Sequence, residues 1–160
     1  MIVSEKFIQV VKTINETLPL HSMWDGFWVH YFKRKTLIIS CSFDRTYYRN
    51  YDLIFKQVIF FNVPDEWRDT NIHGDELIRI ATKTEFKQHH PDFNFQDQVI
   101  FGLDIYIDNN GSLEKHTFFI IAKHIYLIKC EAPDNNPVPE YADLFCNENY
   151  PCKKNRVVPK

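Results

Sequence analysis

The sequence predicts an α+β fold, in which an N-terminal helix packs on a mostly antiparallel sheet of about six or seven strands. Three observations favour it. Apolar residues recur at helical spacing near the N-terminus, most later segments alternate with the two-residue period of strands, and a hydrophobic fraction of 44% with 14 Phe supplies one core. We expect a single domain over residues 1–130 and an irregular C-terminal extension over residues 131–160, where prolines interrupt any period.

The predicted helix spans residues 4 to 17. Its apolar face is formed by Phe7, Val10, Val11 and Ile14. Charged residues occupy positions between them, which is the pattern of an amphipathic helix that buries one stripe. Ser4 is suited to cap the first turn, and Pro19 prevents the helix from continuing. A single helix of this kind must bury its stripe against something larger, which we expect to be the sheet.

The strands are predicted from runs rich in aromatic and β-branched residues. They cover residues 27–32, 36–43, 53–63, 76–87, 99–108, 112–121 and 125–130. Basic residues at 33–35 form the tip of a hairpin between the first two strands. Asn109, Asn110 and Gly111 tolerate the positive φ of a tight turn between the fifth and sixth. Residues 64–75 are predicted to form a loop.

Two of the predicted strands have less regular patterns than the others. Residues 53–63 are apolar at positions of both parities, which is typical of a central strand covered on both faces. Residues 76–87 fit either a helix with one weak apolar stripe or a strand with Ile78, Ile80 and Phe86 on one face and charged residues on the other. We expect the strand.

Composition and charge exclude several function classes. The 19 Lys and Arg nearly balance the 21 Asp and Glu, and the net charge of −2 offers no global field for nucleic acid or an anionic membrane. No apolar run approaches the roughly 18 residues of a membrane-spanning helix, and the N-terminus lacks the apolar stretch of an export signal. We therefore expect a soluble cytoplasmic protein that binds neither nucleic acid nor membranes.

Several motifs of familiar catalytic and cofactor sites do not occur in the sequence. The four glycines form no phosphate-binding pattern, and there is no HExxH or GxSxG. His21 and Asp25 are expected in a loop entering the first strand, where a lone pair makes a poor metal site. His89 and His90 are expected in an extended chain, in which neighbours point in opposite directions. We expect no metal and no cofactor.

Cysteines and short basic runs also favour structural explanations. The cysteines are Cys41, Cys130, Cys146 and Cys152. The first two fall inside predicted strands, where a thiol usually behaves as a small buried apolar group. The last two are too far apart in sequence for a CxxC site, and a local disulfide between them stays open. The basic runs at 33–35 and 153–156 are expected to be a solvated hairpin tip and a solvated tail.

Aromatic and arginine side chains in or beside predicted loops are the leading candidates for function. The group, with one neighbouring aspartate, is Trp24, Asp25, Trp28, Arg45, Tyr47, Tyr48, Arg49, Trp67 and Arg68. Trp, Tyr and Arg dominate the energetics of protein interfaces, so an accessible group of this kind would bind a protein partner. The same rings also have a structural explanation, in which they pack on the rim of the sheet.

A second hypothesis assigns the function to a pocket. Asp104, Tyr106, His116 and His124 lie on or beside the last three predicted strands. If they converge in a cavity on the curved sheet, they would bind a small molecule or hydrolyse one. A homo-oligomer formed through an exposed strand edge is a third alternative.

The order of features along the chain also matches a known group of proteins. A loop LHSMWDGF, a hairpin, a polar break, the run IFKQVIFFNVPDEW and the final run FFIIAKHIYLIK resemble small bacterial α+β proteins found among the immunity proteins of polymorphic toxin systems and related uncharacterised families. The resemblance covers roughly residues 18–130. It implies a non-enzymatic protein that inhibits a cognate toxin by binding it, and it carries no functional residue over to this chain.

Overall fold

A computed structural model of the chain describes residues 5–18, 26–42, 51–67, 76–95, 97–129 and 156–157. Its helices are α1 (Glu5–Thr17) and α2 (Lys83–His89). Its strands are β1 (Phe27–Lys33), β2 (Thr36–Cys41), β3 (Tyr51–Lys56), β4 (Phe60–Phe61), β5 (Glu66–Trp67), β6 (Arg79–Ile80), β7 (Val99–Asn109), β8 (Ser112–Ala122), β9 (His124–Lys129) and β10 (Arg156–Val157). The strand pairs are antiparallel, and the predicted α+β class and N-terminal helix are confirmed.

The strands form two sheets, where the sequence predicted one. The strand order is β10-β9-β3-β2-β1-β5 in the first sheet and β4-β8-β7-β6 in the second. The sheets are continuous with one another, because the chain through β3 and β4 runs antiparallel to the chain through β8 and β9 in both of them. The ribbon made by these two stretches turns the corner between the sheets.

The corner is a bulge at Gln57. The register on its two sides is Lys56↔His124 and Phe60↔Ile121. One stretch therefore has one more residue than the other between these pairs, and such an extra residue bends a β-ribbon and lets it change sheets. Gln57 takes a φ of 54°, in the left-handed region. The single strand predicted over residues 53–63 is wrong at this point, although the centre of β3 is buried on both faces as expected.

The main core lies between the two sheets and is closed by α1. Val10, Val11 and Ile14 are buried, and they belong to one apolar cluster with Phe55 of β3 and Phe101 of β7. Burying a side chain of this size contributes about 1.5–3 kcal/mol. The apolar stripe predicted for the helix is therefore the face that packs on the sheets.

A pair of hydrogen bonds ties α1 to the chain just before β6. Asn15 Nδ2 donates to the carbonyl oxygen of Ile78 at 2.8 Å, and the N–H of Ile78 donates to Asn15 Oδ1 at 3.1 Å. Ile78 is fully buried, so the amide side chain satisfies two backbone groups that water does not reach. This contact fixes the second sheet relative to the helix.

Both predicted hairpins are confirmed. β1 pairs with β2, and β7 pairs with β8 along its whole length. The turn residues Arg34 and Lys35 have φ of 49° and 60°, and Asn110 and Gly111 have φ of 56° and 88°. Positive φ at both central residues is the geometry of a type I′ turn, whose twist matches that of the flanking strands. Both hairpins are therefore closed by the tightest turn available.

The strand predicted over residues 76–87 is wrong for most of its length. Only Arg79–Ile80 pairs with β7, and the chain then enters α2. Thr82 caps this helix, because its Oγ1 accepts the N–H of Glu85 at 3.1 Å. A capped helix of this kind turns Phe86 toward the outer face of the second sheet.

Aromatic rings pack α2 onto that outer face. Phe86 is fully buried there. Rings with centroids 5.1 to 5.4 Å from its own are those of Phe60, Phe93, Phe95 and Phe119. His89 and His90 end the helix and both contact the ring of Phe119. The extended chain predicted for these two histidines is therefore wrong, since a helix terminus brings both rings to one neighbour.

Two short strands correct smaller predictions. Glu66–Trp67 pairs with β1 inside the predicted loop over residues 64–75. Of the predicted irregular extension over residues 131–160, the structure describes Arg156–Val157, which pairs with β9, whereas residues 131–155 and 158–160 lie outside the described part. Neither of the two described helices is long and apolar enough to cross a membrane.

Candidate functional site

Most of the aromatic and arginine candidates lie in segments of the chain that adjoin one end of the first sheet. The described residues that flank those segments at this end are Gly26, Ser42, Tyr51, Trp67 and Lys129, whereas the other flanks of segments 19–25 and 68–75, Leu18 and Glu76, lie outside the first sheet. The register across this end is Trp67↔Phe27↔Cys41↔Tyr51↔Lys129. Five adjacent strands span about 19 Å at the usual strand spacing. We call this edge the loop end of the first sheet.

Two candidate tryptophans lie at or near the loop end. Trp28 is half-buried, and its Nε1 donates to Nδ1 of His30 at 3.4 Å. Trp67 is buried, and its ring stacks on that of Phe27 with centroids 5.4 Å apart and planes 10° from parallel. Trp67 is thus part of the core, as the packing alternative expected, whereas Trp28 presents part of its ring at the surface.

Seven candidates of the aromatic and arginine group lie outside the described residues. They are Trp24, Asp25, Arg45, Tyr47, Tyr48, Arg49 and Arg68. The same holds for His21, Cys130, Cys146 and Cys152. For these seven candidates, the structure shows only the strand residues that flank their segments at the loop end.

A buried polar pair lies on the same face of the first sheet as Trp28. Ser40, which pairs with Trp28 in register, donates its hydroxyl to Asp52 Oδ1 at 2.6 Å. Both residues are fully buried. Because a buried carboxylate is costly without hydrogen bonds, the contact stabilises β2 against β3 and offers no reactive group to solvent. The sequence carried no signal for it, since Asp52 falls at the end of a polar break.

The four residues of the pocket hypothesis are not brought together. Asp104 accepts a hydrogen bond from Arg79, which also donates to Glu85 of α2, so Asp104 faces the side of the second sheet that carries α2. Tyr106, two residues further along β7, faces the same side. His116 pairs with Ile105, which lies between Asp104 and Tyr106 on β7, so His116 faces the opposite side. His124 lies on β9 in the first sheet. No observation in the described residues therefore favours a catalytic pocket made of these side chains.

Asp104 is the centre of an ion-pair cluster. Its carboxylate accepts Arg79 Nε at 3.2 Å and Thr117 Oγ1 at 2.7 Å, and it lies 3.1 Å from Lys115 Nζ. Arg79 also donates to Glu85 at 2.9 Å. Only 9% of the Asp104 side chain is exposed. These contacts join β6 and α2 to the β7–β8 hairpin.

The charges in this cluster determine its protonation. Burial acts to raise the pKa of Asp104, but hydrogen bonds from Arg79, Thr117 and Lys115 outweigh it, and the pKa is lowered. The hydrogen bond from Arg79 lowers the pKa of Glu85, and the same bond raises the pKa of Arg79. Both carboxylates are therefore ionised at neutral pH and engaged by cations, which suits a structural clamp and not a general base.

Cys41 and the described histidines provide no reactive or metal site. Burial raises the pKa of the Cys41 thiol far above its ordinary value, and the charge of Asp52 adds to the shift. The thiol therefore stays protonated and inert. Within the described part of the chain, no three His, Cys, Asp or Glu side chains are placed to hold a metal ion.

An open groove of about 470 Å³ lies between α1, the start of β7 and the chain that leads from β6 into α2. Its apolar walls include Ile8, Ile80, Val99 and Ile100, and polar groups come from Thr82 and Lys83. Binding sites for small molecules usually add several convergent polar groups to such walls. The four residues of the pocket hypothesis do not line this groove.

Comparison of the chain with protein-family models, with curated proteins and with solved structures found no match. The resemblance to immunity proteins therefore stays a prediction from the sequence. The function is inferred below from the residues and geometry of this chain.

Proposed function

We propose that the chain is a non-enzymatic protein-binding domain that acts in the cytoplasm as an immunity-type inhibitor of a cognate toxin. The observation that carries the proposal is the loop end of the first sheet. There the segments 19–25, 43–50 and 68–75, in which most of the aromatic and arginine candidates lie, adjoin paired strands of one sheet.

The scaffold under the loop end suits this role. Binding residues are often carried on loops whose ends a rigid element holds in place. At the loop end, β9, β3, β2, β1 and β5 are joined by unbroken antiparallel pairing. Phe27, Cys41 and Trp67, which are buried in the main core, lie directly in this row. Both ends of segment 43–50 and one end each of segments 19–25 and 68–75 are therefore fixed relative to one another, which lowers the entropy lost on binding.

The candidate side chains have the chemistry of interface hot spots. Residues 43–50 alone contain Arg45, Tyr47, Tyr48 and Arg49. Truncation of a hot-spot residue typically weakens binding by about 2 kcal/mol or more, and Tyr, Trp and Arg are enriched among such residues. Trp28 extends the same chemistry onto the described face of the sheet, where the residue is half-buried.

Co-purification with the products of neighbouring genes tests the proposal. We expect one of these products to form a stable complex that buries more than about 1,000 Å². When that product is toxic on its own, co-expression of this chain is expected to restore growth. If none of the neighbouring products binds, the proposal is wrong.

A multiple variant with a matched control sharpens the test. The variant carries Arg45→Ala, Tyr47→Ala, Tyr48→Ala and Arg49→Ala. The control carries four alanines at exposed positions on α2 and the turn after it, Thr84→Ala, Lys87→Ala, Gln88→Ala and Asp92→Ala. We expect the variant to raise the Kd about 100-fold, which is about 2.7 kcal/mol, and the control to raise it less than about threefold. Equal weakening by both would contradict the assignment to the loop end.

A further inference from the structure

The end of the first sheet opposite the loop end carries a row of basic residues. Lys33, Thr36, Lys56 and His124 occupy one register row across β1, β2, β3 and β9. Paired residues in adjacent antiparallel strands point to the same face, so the three basic side chains lie on one surface. Four strands place the ends of this row about 14 Å apart.

Backbone hydrogen bonds bring three more cations to this row. Arg34 and Lys35 form the turn between β1 and β2, and the carbonyl of Lys35 accepts the N–H of Val58 at 2.9 Å. Lys123, at the corner between the sheets, donates its N–H to the carbonyl of Lys56 at 3.1 Å. We define the cationic patch as Lys33, Arg34, Lys35, Lys56 and Lys123.

The patch has no acidic partner in the described structure. Within residues 5–18, 26–42, 51–67, 76–95 and 97–129, none of its five cations forms a salt bridge, whereas Lys12, Arg79 and Lys115 each do. Four of the five side chains belong to exposed residues, and Lys56 is half-exposed. No carboxylate of the described residues therefore neutralises these charges.

Two cations of the patch act on His124. Burial lowers the pKa of His124, and the charges of Lys123 and Lys56, together with that of Lys6 on α1, lower it further. The charge is also unevenly distributed over the chain. The patch contributes +5 to a chain whose net charge is −2, so the remainder carries −7. Such an uneven distribution of charge orients an anionic partner toward the positively charged end of the molecule.

We propose that the cationic patch docks an acidic protein surface, a cluster of carboxylates about 14 Å across. A nucleic acid fits less well, because its phosphates would continue beyond the patch onto a molecule that is otherwise acidic. This surface is separate from the loop end, so the inference goes beyond the proposed function.

Fluorescence anisotropy with a labelled dodecaglutamate peptide tests the docking surface. The patch variant carries Lys33→Glu, Lys56→Glu and Lys123→Glu, which leaves the turn residues unchanged. The control carries Lys83→Glu, Lys87→Glu and Lys129→Glu, three exposed cations elsewhere with the same change in net charge. We expect the patch variant to raise the Kd at least about tenfold and the control less than about twofold, with binding weakened between 50 and 200 mM salt.

Two further probes are run with the same proteins, a 12-nucleotide single-stranded DNA and vesicles containing phosphatidylserine. Tighter binding of the DNA or the vesicles than of the peptide would overturn the assignment to an acidic protein. No binding of the peptide, or equal loss in patch variant and control, would overturn the patch itself. Circular dichroism of both variants establishes that each is folded. If the fold of the patch variant is lost, the single change Lys56→Glu gives the same comparison.

Discussion

Replacing Asp104 by asparagine tests whether the ion-pair cluster holds β6 and α2 against the β7–β8 hairpin. The substitution keeps the shape of the side chain and removes its charge. Arg79, Lys115 and Thr117 all contact this carboxylate, with the closest distance of 2.7 Å to Thr117 Oγ1. In the variant the two cations face a neutral amide, one of whose groups is itself a donor.

The expected loss of stability follows from burial. Removing one partner of a fully buried ion pair costs about 3–5 kcal/mol. Asp104 is 9% exposed, but Arg79 and Lys115 are 30% and 43% exposed, so water compensates part of the loss. Arg79 also keeps its bonds to Glu85. We therefore expect the free energy of unfolding at pH 7 to fall by about 2 kcal/mol.

Urea denaturation followed by tryptophan fluorescence measures the change, and its pH dependence separates charge from packing. The pKa of Asp104 is lowered in the folded state, so the stabilisation is present above the unfolded pKa of about 3.9 and is lost as pH falls through the folded pKa. The wild type should lose more stability than the variant between pH 5 and pH 2. The difference between the two proteins should approach zero at the acid end.

An exposed carboxylate provides the control. Glu114 lies 3.6 Å from His116 and its side chain is 51% exposed. Glu114→Gln is expected to change the free energy of unfolding by less than about 0.5 kcal/mol. A loss below that value for Asp104→Asn, or a gap between wild type and variant that does not narrow in acid, would refute the clamp.

Three further changes probe the fold. Phe86→Ala, which empties the aromatic cluster under α2, is expected to lower the free energy of unfolding by about 3–5 kcal/mol in urea denaturation, and a loss under 1 kcal/mol would contradict the packing. Asn15→Ala leaves two buried backbone groups of Ile78 unbonded and should cost about 1–3 kcal/mol, measured in the same way. A thermal scan should show Gln57→Val less stable than Gln57→Gly by about 1–2 kcal/mol, because only glycine accepts the left-handed φ without strain. The opposite order would argue against the bulge.

Periodicity predicted both hairpins, and turn chemistry added support for the second. In β7, Phe101, Leu103 and Ile105 alternate with polar or small residues, and only one register buries them all. Asn110 and Gly111 then supply positive φ, which few other pairs of residues do. These are local signals, contained in about a dozen neighbouring residues, and the structure agrees with them for that reason.

No local sequence pattern predicted the bulge at Gln57. The residues on both sides of it are apolar on both faces, and a chain that leaves one sheet for another buries them equally well. Glutamine is also an uncommon residue at positive φ, so its identity gave no warning. The change of sheet depends on pairing with residues near Lys123, far along the chain.

The helix α2 had a sequence signal that the strand pattern outweighed. Thr82 followed three residues later by Glu85 is a capping-box pattern, and the structure shows Thr82 accepting the N–H of Glu85. Alternation of Ile78 and Ile80 favoured a strand, and it is correct for the two residues of β6. One segment therefore holds both kinds of structure, and a single assignment could not describe it.

The candidate sites also combine features that local sequence predicts with features that depend on strand register and order. The basic tip at Lys33, Arg34 and Lys35 was visible in the sequence and was interpreted as a solvated turn. Its extension to Lys56 and Lys123 depends on the register of β3 and on the corner, which no local pattern specifies. The convergence of the candidate segments at the loop end likewise depends on strand order.

Amide hydrogen exchange of the complex with the co-purified partner tests the loop end most directly. Peptides that cover residues 19–28 and 43–51 are expected to exchange more slowly in the complex than in the free chain, while peptides from α2 keep their rates. Protection confined to the cationic patch would leave the docking inference standing and contradict the proposed binding surface. Unchanged exchange at residues 19–28 and 43–51 in a stable complex would contradict it as well.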